Sequence, residues 1–270
     1  MLSPTCLYML TPMPHTLAEL PPTQALFRDD GYLRSCSATV VALTEQGVVL
    51  DRTVFYPLGG GQAGDTGELR TADGRVLAVV DTRKAKTDDG SPLPLIVHLG
   101  AEGSAHPLAV GDAVVATLDW ERRHRLMRLH TASHVLCHAV PHLVNGCSIT
   151  PDAARIDFVT NDAIDKDAIN QALAAVVAQA LPVVISSITD AELDANPALV
   201  KSMSVQPPRG TGRVRTIRIG GDGASSDLPA IDFQPCGGTH IANTQEIGAV
   251  CVTKSEKKGA NSRRVVLGFA

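Results

Sequence analysis

Residues 119–141 read DWERRHRLMRLHTASHVLCHAVP, and the fold class turns on them. Before Asp119 the chain is written in short β-branched runs; after it a helical period begins. Asp119 can accept hydrogen bonds from the open backbone N–H groups of a first turn, which predicts an N-cap. Pro141 lacks an N–H and predicts the helix end. Leu126, Leu129, Val135 and Leu136 recur at spacings that line a buried stripe. His130 sits beside that stripe and His134 lies one turn on, so both imidazoles share a face.

Upstream, SATVVAL (37–43), GVVLDRTVF (47–55), GRVLAVVDT (74–82), PLPLIVHL (92–99) and GDAVVATLDW (111–120) read as strands. TEQG, TADG and TDDG supply the turns between them. This pattern predicts a small antiparallel β-barrel over 23–118. Downstream, a helix is predicted over about 166–180, stopped by Pro182. PVVISSI (182–188) reads as a strand, and Thr189–Glu192 as a capping box opening a short helix. GRVRTIRIG (212–220), LPAIDFQ (228–234), GAVCVTKSE (248–256) and SRRVVLGF (262–269) read as further strands. The expected class is α+β: a barrel, then an antiparallel sheet packed by helices over 119–270.

The chain has 270 residues, 44% of them hydrophobic, which is enough for a sizeable core. Aromatics make up 3%, so aliphatic side chains must fill it. A net charge of −4 argues against wholesale polyelectrolyte binding, so any nucleic-acid contact must use a local basic patch. No apolar run is long enough for a membrane span. Residues 1–22 are rich in Pro and Thr without a basic start, which predicts a flexible leader, or an over-extended translation start, rather than a secretory signal. The six cysteines form no C-x-x-C pair, which argues for a reducing, cytoplasmic setting over a disulfide framework.

A second pair of metal-binding side chains stands in CGGTH (236–240). His130, His134, Cys236 and His240 together offer three imidazoles and one thiolate, a donor set suited to one Zn²⁺ per chain. All four at once make a closed, structural site; three with an open position make a catalytic one. Gly237 and Gly238 permit close approach of a backbone or ligand. The residue after His130 is Thr131, not Glu, so the general base of an H-E-x-x-H peptidase is missing. Hydrolysis of a more reactive bond, such as an ester, remains.

The run TVFYPLGGGQAGDTGEL (53–69) holds Gly59, Gly60, Gly61 and Gln62, a loop with exposed amides that a phosphate or substrate can approach. A plain hairpin connection is the alternative. Basic residues gather in three groups: Arg122, Arg123, Arg125 and Arg128; Arg209, Arg213, Arg215 and Arg218; Lys254, Lys257, Lys258, Arg263 and Arg264. They suggest a phosphate-binding surface beside the metal, or else solvated helix and hairpin faces.

FYPLGGGQAGDTG, HTASH, RIDF, CGGTH, NTQEIG and KSEKKGANSRRV, taken in order from Phe27 to Phe269, resemble the alanyl-tRNA editing proteins. That free-standing group is similar to the editing domain of alanyl-tRNA synthetase. The resemblance implies a cytoplasmic, zinc-dependent deacylase acting on misacylated tRNA-Ala, chiefly seryl-tRNA with glycyl-tRNA as a further substrate. It implies that His130, His134, Cys236 and His240 hold the metal and that Thr131 meets the serine side chain. It also implies that Gly60, Gly61 and Gln62 belong to the catalytic cleft. Asn145 matches a position often held by Gln in the synthetase. The partner implied is the acceptor stem and 3′ end of the tRNA, with no membrane, and a monomer is expected. Whether zinc activates water or holds the substrate's amino group stays open. Two rival readings also stand: an RNA-binding module with a structural zinc, and a metal-dependent hydrolase of small esters or amides.

Overall fold

A computed structural model describes residues 16–45, 47–102, 107–203, 206–207, 212–221 and 227–270. The first fifteen residues of the expected leader lie outside these, as does Arg209. From Thr16 the chain is already part of the fold. A 3₁₀ turn (Leu17–Glu19) brings Leu17 and Leu20 against Val49, Leu95 and Val97.

In chain order the first half holds β1 (Gln24–Ala25), β2 (Ser35–Leu43), β3 (Gly47–Leu50), β4 (Arg52–Thr53), β5 (Gly67–Thr71), β6 (Val76–Val79), β7 (Asp81–Lys86), β8 (Pro92–Leu99) and β9 (Ala113–Leu118). β1 and β4 make a short parallel pair. The other seven form one antiparallel sheet, ordered β6-β5-β9-β2-β3-β8-β7. β2 pairs with β9 over its first half and with β3 over its second, with a shift in register at Val40. Its edge strands β6 and β7 are joined by Val80 alone, so the sheet must curl to bring its edges together. No ladder links β6 to β7 among the described residues, and the sheet is a curled half-barrel. Val40, Leu50, Phe55 and Leu69 fill its interior.

The second half holds α1 (Trp120–Ala139), β10 (Val144–Ile149), β11 (Ala153–Val159), α2 (Lys166–Ala178), β12 (Val183–Thr189), α3 (Asp190–Ala195), β13 (Arg213–Gly220), β14 (Ala230–Pro235), β15 (Val250–Gly259) and β16 (Ser262–Phe269). Two antiparallel sheets result, β10-β11-β16-β15 and β12-β13-β14. The class is strand-rich α+β. Asp119 caps α1 as expected, accepting from Arg122 N, and Thr189 and Glu192 close the predicted capping box.

α1 is buried more widely than a stripe. Every residue from Leu129 to Leu136 is buried, the two histidines included. Leu126, Leu129 and Leu136 pack with Ile156, Phe158, Val252 and Leu267. β5, β10 and β11 were not expected as strands. β5 hides in the glycine-rich run. β10 is broken by a register shift between Val144 and Gly146. β11 did carry a signal: Ala154, Ile156 and Phe158 alternate as buried residues. Among the described residues no helix is long and apolar enough to cross a membrane.

Candidate metal centre

α1 carries His130 and His134, one turn apart on a rigid helix. The other two donors come from the turn after β14. The ligating atoms of His130, His134, Cys236 and His240 all lie within 4.8 Å of one another. Cys236 Sγ is 3.5 Å from His130 Nε2 and 3.3 Å from His240 Nε2. A tetrahedral Zn²⁺ with bonds of ~2.0–2.3 Å needs donors about 3.3–3.6 Å apart. Both of these Cys236 distances meet that spacing, and the donor set is consistent with zinc.

Each imidazole is oriented from behind through Nδ1. His130 Nδ1 donates to Gln62 Oε1 at 2.7 Å. His134 Nδ1 donates to Asp232 Oδ2 at 2.6 Å. His240 Nδ1 meets Thr131 Oγ1 at 3.1 Å. With every Nδ1 so occupied, the Nε2 lone pairs are the ones left for a metal, the outer-shell arrangement typical of metal-binding histidines. Gln62 is itself fixed: its Nε2 donates to Thr239 Oγ1 at 2.9 Å, and Oε1 also accepts from Thr239 N at 3.1 Å. Asp232 also accepts from Gln234 Nε2 at 2.8 Å and is ion-paired with Lys201.

Burial is the strongest influence on the ionisation of these groups. At His240 it prevails, helped by the neighbouring His130, and the pKa falls to about 3. At His134 burial is outweighed by the bonds to Asp232 and Cys236, and the pKa rises to about 10. At Cys236 burial opposes ionisation, but His130 and His240 outweigh it and hold the thiol well below its usual range. A thiolate beside a proton-bearing imidazole is poised to bind a cation and release that proton.

The glycine-rich run forms the tight turn at this centre. Gly59 and Gln62 pair both ways, at 3.1 and 3.0 Å, and Gly60 and Gly61 take φ of +59° and +86° between them. Positive φ at both central positions is the type I′ combination, which glycine adopts without strain. The turn grips the end of β10, with Ile149 N donating to Gly61 O at 2.7 Å and Ala63 N to Ile149 O at 2.9 Å. The run is a tight turn, and Gln62 at its end reaches His130. In CGGTH the close approach falls at Gly238, where a Cβ would lie 2.1 Å from His130 Cε1.

A cavity of about 680 Å³ opens onto the centre, with His130, His134, Cys236, Gly237 and Gly60 in its wall. Thr131 and Gln62 are fully buried and do not line it. Their positions suit orienting His240 and His130; the expected contact of Thr131 with a substrate side chain has no surface from which to be made. Asn145 is exposed on β10.

The basic group on α1 is a correction. Arg123 is fully buried; its Nε lies 3.0 Å from both Asp65 oxygens, and it also donates to Gly31 O and Val54 O. Arg122 donates to Gly64 O, Arg125 to Pro151 O, and Arg128 to Ile247 O. These arginines tie the helix to backbone carbonyls of neighbouring segments. In the C-terminal group Arg264 forms a two-pronged pair with Asp157, at 2.6 and 2.7 Å. Asp232, Gln234 and Lys201 escaped the sequence reading. The available signal was Asp232 and Gln234 two apart on one strand, hence on one face.

Residues 24–122 match the family of class II (A) tRNA synthetases, and residues 214–266 match the threonyl and alanyl tRNA synthetase second additional domain. An alanyl-tRNA editing protein AlaX-M of Saccharolobus solfataricus is 33% identical over 90% of this chain and 97% of its own. The AlaX-M protein of Methanosarcina barkeri is 33% identical over the same shares, 90% and 97%. An alanine–tRNA ligase of Sulfurisphaera tokodaii is 34% identical over 89% of this chain, which spans 26% of that longer protein.

Proposed function

This chain belongs to the alanyl-tRNA editing proteins, and from that premise we propose that it is a zinc-dependent aminoacyl-tRNA deacylase. It cleaves the ester of misacylated tRNA-Ala in the cytoplasm, with seryl-tRNA as the main substrate and glycyl-tRNA as a second. One observation carries the proposal: three imidazoles and one thiol converge at the wall of an open cavity. Such an activity answers a physical need. An alanine pocket cannot strongly exclude glycine, one methyl smaller, or serine, larger by a hydroxyl; discrimination by binding is about 10²-fold.

In this reading the half over 23–118 supplies the glycine-rich turn and the half over 119–270 supplies the donors. His130, His134, Cys236 and His240 hold one zinc. Bound there, zinc supplies Lewis acidity and positive charge beside the ester. Gln62 and Thr131 are positioning residues that keep His130 and His240 in the tautomer with a free Nε2. Asp232 does the same for His134. Gly60 brings the turn to the cavity wall without a side chain, and Gly61 lets it pack closely on Cys147. The acceptor end of the tRNA enters the cavity with its terminal ester toward the donors.

The test is zinc content measured together with deacylation of seryl-, glycyl- and alanyl-tRNA-Ala. One zinc per chain, with seryl-tRNA cleaved and alanyl-tRNA spared, is expected. Full activity in a metal-free His130→Ala variant refutes the zinc role. The four-donor set also fits a closed structural centre in an RNA-binding module. Loss of serine no faster than from tRNA alone would favour that second reading.

A further inference from the structure

The cavity wall carries positive charge out of keeping with the chain. Arg28, Lys84, Lys201, Arg213 and Arg215 line it, against the carboxylate of Asp29 among the described residues, in a chain of net charge −4. Lys201 and Arg215 are tied to residues beside the centre. Lys201 is paired with Asp232. Arg215 donates to Arg28 O at 3.0 Å and to Cys236 O at 2.6 Å. Arg28, Lys84 and Arg213 are exposed. They stand on three separate elements: a 3₁₀ turn (Leu26–Arg28), β7 of the curled sheet, and the start of β13. Arg213 is held in place by Ser187, with Nε donating to Ser187 Oγ at 2.8 Å. Cations around a concave, low-dielectric wall reinforce one another's potential and draw in anions. The arginines of α1 do not line this cavity.

We propose that Arg28, Lys84 and Arg213 clamp successive backbone phosphates of a single-stranded nucleic-acid end where it crosses the cavity mouth, between the curled sheet and β13. Three cations spread over three elements suit a run of phosphodiesters better than one small anion. The identity of that strand as a tRNA 3′ end rests on the deacylase reading; the clamp itself does not. Capture would then need both halves of the chain, because Lys84 stands on β7 of the first and Arg213 on β13 of the second.

The experiment uses the full-length, zinc-loaded protein and its Lys84→Gln, Arg213→Gln and doubly substituted forms. The probe is an uncharged hairpin RNA with a single-stranded 3′ CCA end, its Kd followed across a salt series. Each lost phosphate contact should flatten the slope of log affinity against log salt by about 0.7, and the double variant by roughly twice that. A Lys257→Gln/Lys258→Gln variant, altered away from the cavity wall, should keep the wild-type slope. Deacylation of 3′-O-seryladenosine, which carries no phosphate, should be equal in all forms. A double variant with the wild-type slope overturns the clamp, as does an equal flattening in the Lys257/Lys258 variant. Lys84→Gln alone decides the matter if Arg213→Gln disturbs the fold. A wild-type protein that binds the hairpin with the expected slopes but removes no serine from seryl-tRNA sinks the deacylase reading and leaves the clamp standing.

Discussion

Gln62 Oε1 accepts a hydrogen bond from His130 Nδ1 at 2.7 Å, across 68 residues of sequence. A turn of the first half thereby sets the tautomer of a donor in the second. Replacing Gln62 with Ala removes the acceptor and strands Thr239 N. Zinc affinity, measured by competition with a chromophoric chelator, is expected to fall about 10–100-fold. Gln62→Glu keeps an acceptor at the same reach and should recover most of that loss. Equal affinity in the Ala variant would show that His130 needs no support.

Asp65 and Arg123 tie the same two halves together by charge. Both side chains are buried, and Arg123 has the backbone oxygens of Gly31 and Val54 as further acceptors. Asp65→Ala leaves a guanidinium enclosed without its counter-charge, a class of change that costs about 3–5 kcal/mol. Urea unfolding of the metal-free protein should show that loss. Replacing both residues by apolar ones of similar volume should restore much of it, since a buried pair is often no better than well-packed hydrophobes.

The α+β class, the bounds of α1 and the capping box at Thr189 were legible because each rests on neighbours in sequence. Convergence of His130, His134, Cys236 and His240 was legible only as two pairs, each four apart. What holds the pairs together was not. Asp65 meets Arg123 and Gln62 meets Thr239 over long separations, and no local pattern marks which carboxylate will be enclosed. The arginines of α1 misled for the same reason: a basic helix reads as a solvated or RNA-facing one until its burial is known.

His98 gives the curled sheet a pH dependence. It is fully buried, with Nδ1 donating to Val48 O at 3.1 Å and Nε2 accepting from Thr53 Oγ1 at 2.8 Å. Burial lowers its pKa from 6.5 to about 4, against a small opposing pull from the Val48 bond. Between those values the unfolded chain binds a proton that the folded chain refuses. Stability from this group is therefore complete above pH 6.5 and is lost as pH falls toward about 4. The loss should total about 3 kcal/mol. Denaturant titrations over that range should slope in wild type and slope less in His98→Gln, both without zinc.

Gly237 and Gly238 are adjacent and should answer substitution in opposite ways. At Gly237 an added Cβ meets nothing within 4 Å. Gly237→Ala should bind zinc normally and change stability by no more than about 0.5 kcal/mol. At Gly238 the same atom would fall 2.1 Å from His130 Cε1, 2.5 Å from His130 Nδ1 and 2.9 Å from Gln62 Oε1. His130 cannot yield outward, because α1 is enclosed along this turn. The ring must swing, breaking its bond to Gln62 and moving Nε2 away from Cys236 Sγ. Gly238→Ala should therefore lower zinc affinity at least about tenfold while the far-ultraviolet spectrum stays that of a folded chain. Equal zinc binding in the two alanine variants would mean that the second glycine of CGGTH is not what seats His130 in the centre.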